Sequence, residues 1–141
     1  MRLNVVAAVI GLCVVLAGCA TDVGPSDAEL KARWEAQNIF PATYKNDLLA
    51  FLRTYLNDPE QVRSAQVSQP LRKTVGPGER FIVCVRYRER KAGGVYAPAK
   101  DGYATYVSAK LDRFFDAPSD VKGMCKDVPL APFPELENLK R

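Results

Sequence analysis

Glu79-Arg80-Phe81-Ile82-Val83-Cys84-Val85-Arg86-Tyr87-Arg88-Glu89-Arg90 is the best strand pattern in the chain. Side chains alternate along a strand, so Phe81, Val83, Val85 and Tyr87 share one face. Ile82, Cys84, Arg86, Arg88 and Arg90 share the other. An apolar face of this length needs a cover, and the chain on either side supplies candidates. Upstream, residues 64–71 read as a first strand with Pro70 at an edge or an end. Residues 74–78 hold Gly76-Pro77-Gly78, a turn. Downstream, Gly93-Gly94 breaks the strand and residues 92–102 form a loop. Residues 103–111 read as a third strand from their Tyr, Thr and Val content. Residues 112–117 end that unit, and residues 122–126 carry Cys125 back toward the sheet. Pro129, Pro132 and Pro134 bar long regular structure in the tail, whose Leu130, Phe133 and Leu136 can pack on the body.

The cover for the apolar face lies in residues 42–57, the strongest helical pattern. Tyr44, Leu48, Phe51, Leu52 and Tyr55 recur as one stripe at helical spacing, a core pattern rather than a ligand box. Lys45, Asn46, Arg53 and Asn57 face outward. Pro59 biases Asp58 away from helix and stops it. Before it, Ser26-Asp27-Ala28-Glu29 fits a capping box that opens a helix ending near Gln37, with Leu30 and Trp34 as its docking residues. The expectation is an α+β domain. Two N-terminal helices pack on a small antiparallel sheet of about three strands, followed by an extended, proline-containing C-terminal tail.

The first residues carry a different signal. Met1-Arg2 gives a short positive region, and residues 3–16 are apolar apart from Asn4, too short to span a bilayer and right for a signal segment. Leu16-Ala17-Gly18-Cys19 follows directly and resembles the lipobox of bacterial lipoproteins. That resemblance implies a leader over residues 1–18, a diacylglycerol on the Cys19 sulfur and an acylated new amino group. It implies a tether over 19–25 and a single α+β domain over 26–141. An ordinary secretory leader cut near Ala17 or Ala20 and an uncleaved anchor are the competing readings. Ala20, where sorting to the inner membrane would require Asp, implies the outer membrane facing the periplasm.

The chain has 20 Lys+Arg, 16 Asp+Glu, no His and four Cys. Removing Arg2 with the leader leaves a mildly basic domain, which gives no argument for nucleic acid. Cys13 leaves with the leader and Cys19 is consumed by lipid. Cys84 and Cys125 then remain in an oxidising space, where two leftover thiols join. Their disulfide would close a loop of about 40 residues, worth roughly 3–4 kcal/mol by chain entropy. Two unpaired or metal-binding thiols are the rival reading, disfavoured by the lack of His and of a C-x-x-C partner.

Two further likenesses concern the domain. Asp58-Pro59-Glu60-Gln61-Val62, Phe81-Ile82-Val83-Cys84-Val85 and Gly93-Gly94-Val95-Tyr96 resemble a pattern in small proteobacterial envelope proteins of unknown function. The resemblance covers roughly residues 44–115 and implies a fold and an exported location. The helix–helix–three-strand order is also similar to the small lipoprotein of the outer-membrane β-barrel assembly machine. That family's helix ending in Leu-Gly-x-Pro is missing here.

Without His, no Ser-His-Asp or Cys-His arrangement can form. Glu79, Glu89, Asp101, Asp112 and Asp116 show no grouping of the kind that glycosidases use. No cofactor or metal motif is present, and the expectation is that the chain is not an enzyme. Residues 72–91 hold seven basic and two acidic side chains. Arg86, Arg88 and Arg90, with Arg72, Lys73, Arg80 and Lys91, are either a solvated, edge-protecting surface or a contact for anionic lipid or cell-wall polymer. Tyr96, in the Gly93–Ala97 loop, is either a contact residue or a side chain packed on the domain. The expected function is a membrane-anchored envelope lipoprotein, a non-enzymatic binding or structural module held by Cys19. The alternatives are an inhibitor or accessory subunit that caps a periplasmic enzyme with that loop, and a cell-wall-active hydrolase.

Overall fold

The computed structural model describes residues 23–140. The lipobox and Cys19 lie outside the described residues. The expected central strand is present as β3, Gly78–Arg88, and its two faces divide as its alternation requires. The sheet around it has six strands rather than about three. It comprises β1 (Arg63–Val67), β2 (Leu71–Val75), β3, β4 (Lys100–Val107), β5 (Lys110–Phe115) and β6 (Ala131–Pro132). The order is β5-β4-β3-β1-β6, with β2 also on β3, and every pairing is antiparallel.

Three local events make the difference. Where one strand was expected over 64–71, the chain breaks at Ser68-Gln69-Pro70. The Ser68 N–H donates to the Cys84 carbonyl at 2.8 Å, and the Cys84 N–H donates to Ser68 Oγ at 2.9 Å. Pro70 has no N–H to continue the ladder. Pairing resumes at Leu71 against Ile82, so β1 and β2 line successive halves of one edge of β3. Where one strand was expected over 103–111, Ser108 and Ala109 adopt left-handed φ values of 49° and 63°. They form a two-residue hairpin without the Asn-Gly or Gly signal that normally marks one. The third event is β6, two tail residues that pair with Gln66 and Val67.

Four α-helices accompany the sheet. Helix α1, Asp27–Ala36, opens with the expected capping box: Glu29 N–H donates to Ser26 Oγ, and Ser26 N–H donates to Glu29 Oε2 at 2.7 Å. It buries no residue of its own, and Leu30 stays exposed rather than docking. Trp34 is its main anchor, beside an exposed pair between Glu35 and Arg72. Its Nε1 donates to the Glu79 carbonyl at 2.8 Å, the Arg80 guanidinium lies 3.6 Å from the ring centre, and Arg80 Nη1 donates to the Trp34 carbonyl at 2.6 Å. A Cβ at Gly78 would come within 2.8 Å of the indole. Gly78→Ala should therefore displace Trp34 while leaving the core intact. Trp34 is the only tryptophan of the chain, so its emission should shift red with little change in melting temperature.

Helix α2, Tyr44–Tyr55, is shorter at both ends than its periodicity predicts. Tyr44, Leu48 and Leu52 are buried, Phe51 is half-buried and Tyr55 is exposed. Its stripe covers the Val83/Val85/Tyr87 face together with Phe133, Leu136 and Leu139 of the tail, where α4 (Pro134–Glu137) forms. Beside it, Gly102 leaves room for the Phe114 ring on the neighbouring strand. Phe114 in turn packs on Phe51 and Tyr55, with ring centres 5.1 and 5.2 Å apart. Gly102→Ala pushes that ring out, at an expected cost of about 1–3 kcal/mol read by thermal melting.

The opposite face is not solvated along its whole length. Ile82, Cys84 and Tyr103 form a second buried cluster under α3, Pro118–Cys125, and residues Val128 and Leu130. Pro118 stands at the start of α3, where its fixed φ and missing N–H suit a helix. The Cys84–Cys125 disulfide ties the last residue of α3 to β3, with the Cα atoms 5.9 Å apart. No helix among the described residues is long and apolar enough to cross a membrane.

Candidate functional site

Helix α3 covers only the apolar half of the outer face. On β3 that half ends at Cys84, and the next side chain on the same face is Arg86, paired across the sheet with Asp101. The step from covered to uncovered sheet is a cleft of about 650 Å³. Charged side chains line it: Arg86, Lys100 and Asp101 on the sheet, Asp116 after β5, and Lys122, Lys126 and Asp127 in and just after α3. Pro118, Val121 and Cys125 supply its apolar surface. Cavities of this size accommodate small ligands.

Two ion pairs neutralise the sheet side. Arg86 donates from Nε to Asp101 Oδ1 at 2.6 Å and from Nη2 to Oδ2 at 2.9 Å, a bidentate pair. Lys100 Nζ lies 3.1 Å from Asp116 Oδ2, and the Tyr55 hydroxyl donates to the same oxygen at 2.6 Å. The Tyr55 hydrogen bond and then Lys100 hold the Asp116 carboxyl below its ordinary value of 3.8, while Asp116 pushes the Tyr55 hydroxyl up to about 12. A carboxyl held low is a poor proton donor at neutral pH, the opposite of what a glycosidase acid requires. A depressed folded value stabilises the fold above the unfolded value and loses that stabilisation as pH falls through the folded one. Asp116→Asn should thus flatten the acid side of the stability profile below about pH 4, measured by thermal melts across pH.

The α3 wall is different. Lys122 lies in α3, and Lys126 is the first residue after the helix, where the backbone turns extended. Neither has a carboxylate within the 4.0 Å of an ion pair among the described residues. The cleft therefore presents two unneutralised cations beside an apolar strip.

The residues singled out from the sequence do not come together as one basic face. Arg86 enters the cleft, already paired. Arg88 Nε donates to the Ala97 carbonyl at 2.9 Å, and Arg90 pairs with Asp58 at 3.3 Å. Arg72 bridges Glu35 and Glu79 at 3.1 and 2.8 Å, and Arg80 is buried against Trp34. Tyr96 is half-buried, with the Arg63 guanidinium 4.5 Å from its ring centre. Its loop is an ordered hairpin. Arg90 bridges Tyr96, and the N–H groups of Lys91, Gly94 and Ala97 donate to Val95, Lys91 and Glu89 carbonyls at 2.8–3.0 Å. Gly93 and Gly94 hold φ values of 94° and 86° with open space around them, and Val95 at the tip is 69% exposed.

The cleft residues Lys100, Lys122 and Lys126 escaped sequence reasoning, and Asp101 and Asp116, read from the sequence as ungrouped acids, meet on the cleft lining. The lysines flank Cys125, and only its bridge to Cys84 brings them beside Arg86. No group of three metal-ligating side chains occurs among the described residues. Compared with protein-family models, curated proteins and solved structures, the chain matches none.

Proposed function

We propose that this chain is a lipid-anchored protein of the bacterial envelope that binds a ligand and does not transform it. The observation that carries the reading is the α3 cleft, whose wall is held by a disulfide and keeps two cations unpaired. A disulfide of this kind suits an oxidising compartment. Leu16-Ala17-Gly18-Cys19 supplies the anchor, placing the domain at the outer membrane on its periplasmic side. The low Asp116 and the absence of His argue for binding over hydrolysis. Cys19→Ala should move the chain out of the detergent-extractable membrane fraction or leave an uncleaved precursor. A variant that is processed and fractionates like wild type would overturn the anchor.

One observation favours a second reading, in which the protein caps a periplasmic enzyme. The Glu89–Ala97 hairpin is ordered and projects an exposed Val95, and a rigid convex loop binds with little ordering cost. Val95→Asp should leave the melting temperature unchanged and abolish recovery of the envelope protein captured by wild type. Undiminished recovery of that protein would contradict this reading.

A further inference from the structure

We infer that the α3 cleft is a site for a small acidic ligand, an anionic oxygen group carried on a compact apolar stem. The inference rests on the cleft reading above and adds the chemistry of the occupant. It starts from the balance of charge within the cavity. Arg86 and Asp101 satisfy each other, and Lys100 and Asp116 do the same. Each pair brings polarity to the walls without adding net charge. Lys122 of α3 and Lys126, the first residue after it, are left over on the cavity lining, with no carboxylate within ion-pair distance among the described residues. Asp127 is the one further acid on the lining. Two unmatched cations against one acid favour an anion.

The backbone that carries the cations is also held in place. Cys125 sits between Lys122 and Lys126 in sequence, and its disulfide partner Cys84 is two residues from Arg86 on the same face of β3. The bridge therefore fixes the spacing between the helix wall and the sheet floor. Arg86 gives two donors to Asp101 and retains others, since a guanidinium has five. An oxyanion between Arg86 and the two lysines would receive charge-assisted hydrogen bonds from both sides. Pro118, Val121 and Cys125 would take the apolar stem. Preorganisation of this kind lowers the cost of binding.

Carboxylate and phosphate share this chemistry, and the test separates them. The full chain, held in uncharged maltoside micelles at low salt, is titrated by calorimetry with inorganic phosphate, with N-acetyl-alanyl-alanine, and with the same dipeptide as its C-terminal amide. Saturable binding of phosphate or of the free-acid dipeptide is expected, on the order of millimolar for such small probes. Whichever binds identifies the source. The amide should bind at least about tenfold more weakly than the acid, the worth of one charge-assisted contact. Lys122→Gln together with Lys126→Gln should weaken the anion by about tenfold or more, whereas Lys31→Gln on exposed α1 should change nothing. The lysines are exposed, so melting temperatures should match wild type. Equal binding of acid and amide would overturn the anion assignment while leaving a binding cleft. Binding of none of the probes, or unchanged binding in the double lysine variant, would overturn it outright.

Discussion

Leu52→Ala is expected to remove about 2–5 kcal/mol of stability, the range for a buried leucine that leaves a cavity behind. Leu52 is fully buried, under α2 and against the Val83/Val85/Tyr87 face of the sheet. A loss of that size is a large part of what a small domain has. Urea denaturation should show a lower midpoint with an unchanged slope. Phe51→Ala should cost less, because Phe51 is only half-buried and its ring rests on Phe114 and Tyr55 at the rim. Lys45→Ala should cost about 1 kcal/mol or less, since its pair with Glu135 is solvent-exposed. A Leu52→Ala midpoint equal to that of Lys45→Ala would mean that α2 presents another face to the sheet.

The second large effect belongs to the disulfide. Cys84 and Cys125 are 41 positions apart. Opening such a loop costs about 4 kcal/mol in the chain-entropy account. Here the loss has a local address as well. Helix α3 has eight residues and buries one, Val121, so the bridge is its main attachment to β3. The double change Cys84→Ala and Cys125→Ala should lower the melting temperature by several degrees and expose the second cluster around Ile82 and Tyr103. Hydrogen exchange should report this as loss of protection in residues 118–130, with β3 and α2 still protected. A melting temperature indifferent to reductant and to the double change would contradict it.

These two predictions mark where the sequence was readable. The α2 stripe and the alternation of residues 81–87 are long, strongly periodic signals, and they put Tyr44, Leu48, Leu52, Val83, Val85 and Tyr87 into the core, though Tyr55 stays exposed and Ile82 and Cys84 are buried on the other face. The capping box at Ser26 was equally plain, because it rests on local hydrogen bonding, whereas the stop expected at Asp58-Pro59 comes earlier, with α2 ending at Tyr55 and Leu56 already extended. The sheet was larger than expected where such signals fail. Ser108-Ala109 turns the chain without Gly or Asn, so β4 and β5 read as one strand. Ser68 bonds back to Cys84 and holds β1 and β2 on one partner, a tertiary event that no local pattern records. Helix α3 has one buried residue and a bridge, and a disulfide leaves no periodicity to find. The basic face of Arg86, Arg88 and Arg90 failed for a related reason. Alternation put Arg86 and Arg88 on the outer side of β3, yet their partners Asp101 and the Ala97 carbonyl, like Asp58 of Arg90, come from other parts of the chain.

Anchoring and export belong together in the proposed function, since a disulfide suits the oxidising compartment to which the proposed lipobox would send the chain. One mass measurement tests both: the intact chain, extracted from membranes and alkylated before and after reduction. The expected species is a polypeptide that starts at Cys19, carries the diacylglycerol and N-acyl masses, and takes up alkyl groups at Cys84 and Cys125 only after reduction. An unmodified terminus at any other residue, or alkylation of both thiols without reductant, would contradict it.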